Sequence, residues 1–129
     1  MIGLQRELEG LPGLWEAGLG DAYETYLAAA SRSLDRKDLA ETAALAAGLV
    51  EVALDLQRLG KPPPPPVELL RADLCLARAS RLLAETRHRG LQIAFARAIE
   101  EQAAAAGDGV PAAPTRDRLL AALASGATA

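Results

Sequence analysis

Ala43-Ala44-Leu45-Ala46-Ala47-Gly48-Leu49-Val50 carries no charged side chain. It continues as Glu51-Val52-Ala53-Leu54-Asp55-Leu56-Gln57-Arg58-Leu59-Gly60 and stops at Lys61-Pro62-Pro63-Pro64-Pro65-Pro66. Leu and Ala are strong helix formers. The apolar set Leu39, Ala43, Ala46, Leu49, Val50, Ala53, Leu54 and Leu56 falls at helical spacing, with Leu45 and Val52 widening the stripe. The pattern predicts a helix over about 36–59, ~36 Å long at 1.5 Å per residue. So broad a stripe implies burial on more than one side. Gly60 suits the C-terminal position. The prolines predict a stiff polyproline II connector, with Pro66 as the first residue of the next helix.

The same periodicity extends in both directions. A helix over about 67–87 carries two lines of side chains: Leu70, Leu74, Ala77, Arg81 and Ala84, and Leu69, Asp73, Leu76, Ser80 and Leu83. Gly90 separates it from a helix over about 91–106, whose inner face is Leu91, Ala94, Phe95, Ala98, Ile99 and Gln102. Towards the N-terminus, Ser33 or Asp35 caps the long helix. Asp21 with Glu24 forms a capping box for a helix over about 22–33. Ile2, Leu4 and Leu8 line a short first helix that breaks near Gly10 and Pro12. Towards the C-terminus, residues 107–114 read as a linker. Thr115 caps a short helix over 116–124, and a flexible tail follows from Ser125. The expected organisation is a helical domain over 1–106, a linker over 107–114, and a short C-terminal helix with a flexible tail over 115–129. The fold class is all-α, a small helical bundle.

Composition narrows the function. The chain has 129 residues, half of them hydrophobic, enough for one core. Net charge is −3 with the signs interspersed, which excludes the basic footprint of a nucleic-acid binder. Cys75 is the sole cysteine, so no intrachain disulfide or thiolate metal cluster forms, and its place on an apolar stripe suits a small hydrophobe. No run approaches the ~18 apolar residues of a membrane span, and the N-terminus does not read as a signal peptide. A cytoplasmic protein is the expectation.

Candidate chemistry is sparse. The aspartates at positions 21, 35, 38, 55, 73, 108 and 117 include no adjacent pair, and His88 is the sole histidine, so no metal and no cofactor is expected. Cys75 and His88 lie ~20 Å apart along a helix axis, too far for a nucleophile and its base. Asp73 shares a line with Leu69, Leu76 and Ser80, which predicts partial burial and therefore a partner. Arg58, Arg78 and Arg81 qualify, with Asp73–Arg78 taken as a structural ion pair.

Three segments carry a family resemblance. They are Leu49-Val50-Glu51-Val52-Ala53-Leu54-Asp55, Leu70-Arg71-Ala72-Asp73-Leu74-Cys75-Leu76-Ala77-Arg78-Ala79, and Phe95-Ala96-Arg97-Ala98-Ile99-Glu100-Glu101. Together they resemble the front half of trans-prenyl diphosphate synthases, across about residues 40–106. The first is most similar to the small, non-catalytic component of two-component heptaprenyl or hexaprenyl diphosphate synthases. Catalytic members carry an Asp-Asp-x-x-Asp motif between the two long helices; here that interval holds Asp55 alone and then the prolines. Arg71-Ala72 stands where the family has a small residue and glycine. The resemblance implies a subunit without its own activity. It would bind a catalytic synthase chain and complete the tunnel that measures a long all-trans polyprenyl diphosphate for a quinone side chain. Leu49, Val50, Ala53, Leu70, Leu74 and Ala77 are the candidate interface or tunnel residues.

Two other readings stand beside it: a homodimeric helical interaction domain unrelated to isoprenoids, and a small helical enzyme using arginines with Glu or Asp. Both partner-based readings expect another chain to cover part of the run from Ala43 to Val50.

Overall fold

A computed structural model describes residues 4–57, 62, 64–107 and 114–128. The elements in chain order are α1 (Leu4–Glu7), a π-helical turn (Trp15–Leu19), α2 (Gly20–Ser33), α3 (Lys37–Gln57), α4 (Pro66–Thr86), α5 (Arg89–Gly107) and α6 (Thr115–Ala127). Among the described residues there is no strand, so the fold is an all-α bundle. No helix among them is long and apolar enough to cross a membrane.

The bundle is organised around α3. Every residue from Ala43 to Val50 is buried, because α2 and α4 flank the helix while the π turn, α5 and α6 cover what remains. Small side chains make this close approach feasible. A Cβ at Gly48 would stand 3.1 Å from Leu19 Cδ1, so the end of the π turn rests almost on the α3 backbone. The uncharged run therefore needs no second chain, contrary to expectation. Leu49, Val50 and Ala53 are core residues, with no more than 1% of their surface exposed. Two contributions hidden in the sequence supply the cover. The N-terminal segment delivers Leu11, Leu14 and Leu19 to the core, and α6 delivers Leu119, Ala122 and Leu123. The C-terminal helix thus shares one core with the helices that precede it.

The ends of the elements show where local signals were overruled. Asp21 does not cap α2, because the π turn runs directly into that helix through Leu19 and leaves Asp21 inside the first turn. The turn bends at Gly18, whose φ of 141° suits glycine. Pro66 does open α4, and Pro65 before it has the polyproline II angles φ −57° and ψ 149°. Gly60, Lys61 and Pro63 lie outside the described residues.

Gly90 does not separate α4 from α5. Arg87 takes the left-handed conformation at φ 54°, and Gly90 sits in the first turn of α5. The junction is held by side chains. Thr86 Oγ1 accepts from the His88 N–H at 3.1 Å, and His88 Nδ1 accepts from the Leu91 N–H at 3.2 Å, as an N-cap does. The glycine that packing requires here is Gly126. A Cβ at Gly126 would lie 3.0 Å from Gly90 O, so α5 and α6 cross with backbones nearly touching. That buried contact also explains why α6 runs to Ala127, past the expected end at Ala124.

Candidate functional site

Three of the four exposed large apolar side chains among the described residues, Val67, Leu69 and Leu70, lie on the outward side of α4, and the fourth is Ile93. The inward side of α4 is Ala72, Cys75, Ala79, Leu82 and Leu83, all buried. That choice turns Val67 and Leu70 to solvent, 59% and 68% exposed, with Leu69 beside them. Ala77, Ser80 and Ala84 continue the exposed side down the helix. An apolar helix face of this kind is suited to receive another helix.

The six sequence-derived site residues therefore separate into three groups. Leu49, Val50 and Ala53 face inward on α3, whereas Leu70 and Ala77 are exposed on α4. Leu74 is half-buried, because the N-terminal segment passes beside it: a Cβ on Gly10 would sit 3.5 Å from Leu74 Cδ2.

The expected Asp73–Arg78 pair is not formed. Asp73 is exposed, and Arg78 donates to the main-chain carbonyl of Glu7. Five positions on a helix place two side chains about 140° apart, so each meets a different neighbour. The line through Asp73 looks buried in sequence, but the true inward line is displaced by one residue, to Ala72. Arg81 binds the buried carboxylate of Glu7 and, at 2.9 Å, that of Glu85. Arg78 and Arg81 together strap the N-terminal segment across one flank of α4 and leave the other flank free.

A polar cluster invisible to sequence reasoning lies on the opposite side of the core. Tyr26 of α2 is fully buried, and its hydroxyl donates to Glu51 Oε1 at 2.7 Å. Arg116 of α6 donates from Nε to Oε1 and from Nη2 to Oε2, each at 2.9 Å, and from Nη2 to Asp21 Oδ2 at 3.2 Å. Burial raises the Glu51 carboxyl. The Arg116 guanidinium and the Tyr26 hydroxyl outweigh that and hold it below the usual carboxylate range. Burial, reinforced by Glu51, pushes the Tyr26 phenol well above its ordinary value. The result is a charged clamp joining three helices, with both Glu51 oxygens occupied and no nucleophile poised. The partners lie 25 and 65 positions from Glu51 in sequence, so no local pattern announces them.

Other features are chemically quiet. Among the described residues, no group of three or more His, Cys, Asp or Glu side chains is arranged to hold a metal ion. Cys75 is buried, and burial pushes its thiol up to about 11, which suppresses the thiolate. A groove of about 430 Å³ between α5 and α6 has Ile93, Ala94, Ala98 and Ala122 among its lining residues, together with Arg97 and Arg118. Arg118 is paired with Glu101 at 2.5 Å. Comparison with protein-family models, curated proteins and solved structures found no match.

Proposed function

We propose that this chain is a non-catalytic subunit that docks on a catalytic trans-polyprenyl diphosphate synthase through the outer face of α4. The exposed Val67–Leu70–Ala77 surface carries the reading. It is an apolar helix face left uncovered in a bundle that buries the uncharged run of α3 on every side. The partner's identity comes from the resemblance of the segments at 49–55, 70–79 and 95–101 to that family.

In this scheme the catalytic chain holds Mg²⁺ and both diphosphates. This subunit adds apolar wall to the product tunnel and so influences the length of an all-trans chain destined for a quinone. The wall is α4 alone. Leu49, Val50 and Ala53 are consumed by the subunit's own core and have no surface to offer.

A prenyltransferase assay tests the proposal. The catalytic chain from the same organism is supplied with an allylic diphosphate, isopentenyl diphosphate and Mg²⁺, with and without this chain. The expected result is higher turnover or a longer product in the mixture and no turnover by this chain alone. Turnover by this chain alone, or identical products with and without it, contradicts the proposal.

A further inference from the structure

The groove between α5 and α6 has an apolar end and a charged end. The helices run antiparallel, with Gly126 against Gly90 and Arg118 against Glu101. At the apolar end the backbones nearly touch: a Cβ on Gly126 would lie 3.0 Å from Gly90 O and 3.1 Å from Ala94 Cβ. Ala94, Ala98 and Ala122 line the groove from there, and Ile93 is exposed at its edge. The Ser125 hydroxyl turns back onto its own helix, donating to Ala122 O at 3.5 Å. Arg97, Glu101 and Arg118 make the charged end. Gly90 and Arg97 are ~10 Å apart along α5 at 1.5 Å per residue. The groove's volume of about 430 Å³ is within the ~300–1,000 Å³ of small-molecule sites.

The charges at that end do not cancel. Arg97 is exposed and enters no ion pair among the described residues. Arg118 spends Nη1 on Glu101 at 2.5 Å, while its Nε is buried and has no acceptor. The edge that carries Nε is the one through which a guanidinium meets a carboxylate with two parallel N–H groups. A buried N–H without an acceptor is a cost that an incoming oxygen relieves. Two guanidiniums against one carboxylate leave a single positive charge among the lining side chains. A monoanion matches that charge, whereas a dianion would set an unmatched negative charge beside Glu101.

We propose that the α5–α6 groove binds a free, single-chain aliphatic carboxylate of medium length. The head lies between Arg97 and the Nε edge of Arg118. The chain runs over Ala98, Ala94 and Ala122 towards the Gly90–Gly126 crossing, a distance comparable to the extended length of octanoate. Walls of glycine and alanine between two helices in contact leave a narrow trough, which suits one flexible chain better than a ring system. The site involves α5 and α6 alone, so it stands or falls separately from docking through α4.

The test is a titration of the full chain with sodium octanoate, followed by amide chemical shifts, with octan-1-ol and acetate as companion ligands. Octanoate should give saturable shifts confined to residues 90–101 and 118–126. Octan-1-ol, which keeps the chain and loses the charge, should bind about tenfold more weakly. Acetate, which keeps the charge and loses the chain, should not saturate. Arg118→Lys retains the positive charge but has no Nε edge, and should weaken octanoate about tenfold. Arg97→Gln, at an exposed position, should weaken it by up to about fivefold. A circular dichroism melt verifies that each variant is folded. Absent or scattered shifts overturn the site. Equal affinity for octan-1-ol reduces it to an apolar surface, and equal affinity for acetate reduces it to an adventitious anion contact; either overturns the proposal. Octanoate affinity unchanged in both variants overturns the role of the arginines and the proposal with it.

Discussion

The Tyr26 hydroxyl donates to Glu51 Oε1 at the point where Arg116 reaches the same oxygen, so one carboxylate gathers α2, α3 and α6. Glu51 is the first charged residue after the uncharged run of α3. Its placement lets the most apolar helix of the bundle end in a satisfied charge rather than an orphaned one. The clamp secures two helices on one side of α3, α4 covers another, and the outer face of α4 remains exposed.

Glu51→Gln should destabilise the bundle by about 1–3 kcal/mol, because it removes the charge from hydrogen bonds that are half-buried on the Arg116 side. Arg116 is 35% exposed in its side chain, which keeps the loss below that of a fully buried pair. Urea denaturation of the two proteins measures it. A difference under ~0.5 kcal/mol would mean that the cluster contributes little.

The same group sets an acid limit. The folded-state value of Glu51 is depressed below 4.5, so the unfolded chain binds a proton first as the pH falls. The stability from this group is therefore present above about pH 4.5 and lost as the pH drops through the folded value. Tyr26 acts at the other end. Its raised value means that its contribution is present below pH 10 and declines above it. Denaturation midpoints from about pH 7 down to about pH 3 should fall for the wild type and fall less for Glu51→Gln. Parallel curves would remove Glu51 from the acid transition.

Leu49 and Leu70 should behave oppositely on truncation. Leu49→Ala opens a cavity in the core and should cost about 2–5 kcal/mol. Leu70→Ala removes a solvated side chain and should change stability by no more than ~0.5 kcal/mol. Similar losses at both sites would contradict the inward and outward assignment of α3 and α4.

Cys75 should resist thiol reagents at about pH 8, near the ordinary thiol range. It is buried, and its thiol titrates near 11, so both access and thiolate are scarce. Labelling in the native state should be at least about tenfold slower than in denaturant. Rapid native labelling would mean that the inner face of α4 is open.

Some of this was readable from residue types alone. The bodies of α3 and α4 fall within two residues of the periodic reading, because Leu and Ala at helical spacing leave no competing structure. Pro66 marked the start of α4 for the same local reason. Where tertiary contacts decide, local signals failed. Asp21 has the composition of a cap, but the chain arrives already coiled through Trp15–Leu19. Ser125 has the composition of a tail, but Gly126 is drawn into the crossing with α5. The two lines read on α4, through Leu70 and through Asp73, both missed the inward face, which passes through the small residues Ala72, Cys75 and Ala79 that admit α3 closely. Leu70 was left outside as a consequence. Arg116 lies 65 positions from Glu51 and was beyond any pattern.

Calorimetric titration of this chain into the catalytic polyprenyl diphosphate synthase of its own organism tests the central claim most directly, with Leu70→Asp as the companion titration. Leu70 is 68% exposed, so the substitution should leave folding intact, and a circular dichroism melt verifies that. Docking through α4 predicts saturable binding by the wild type and at least a tenfold weaker complex with Leu70→Asp. No heat of binding from the wild type, or equal affinity from the two proteins, would contradict it.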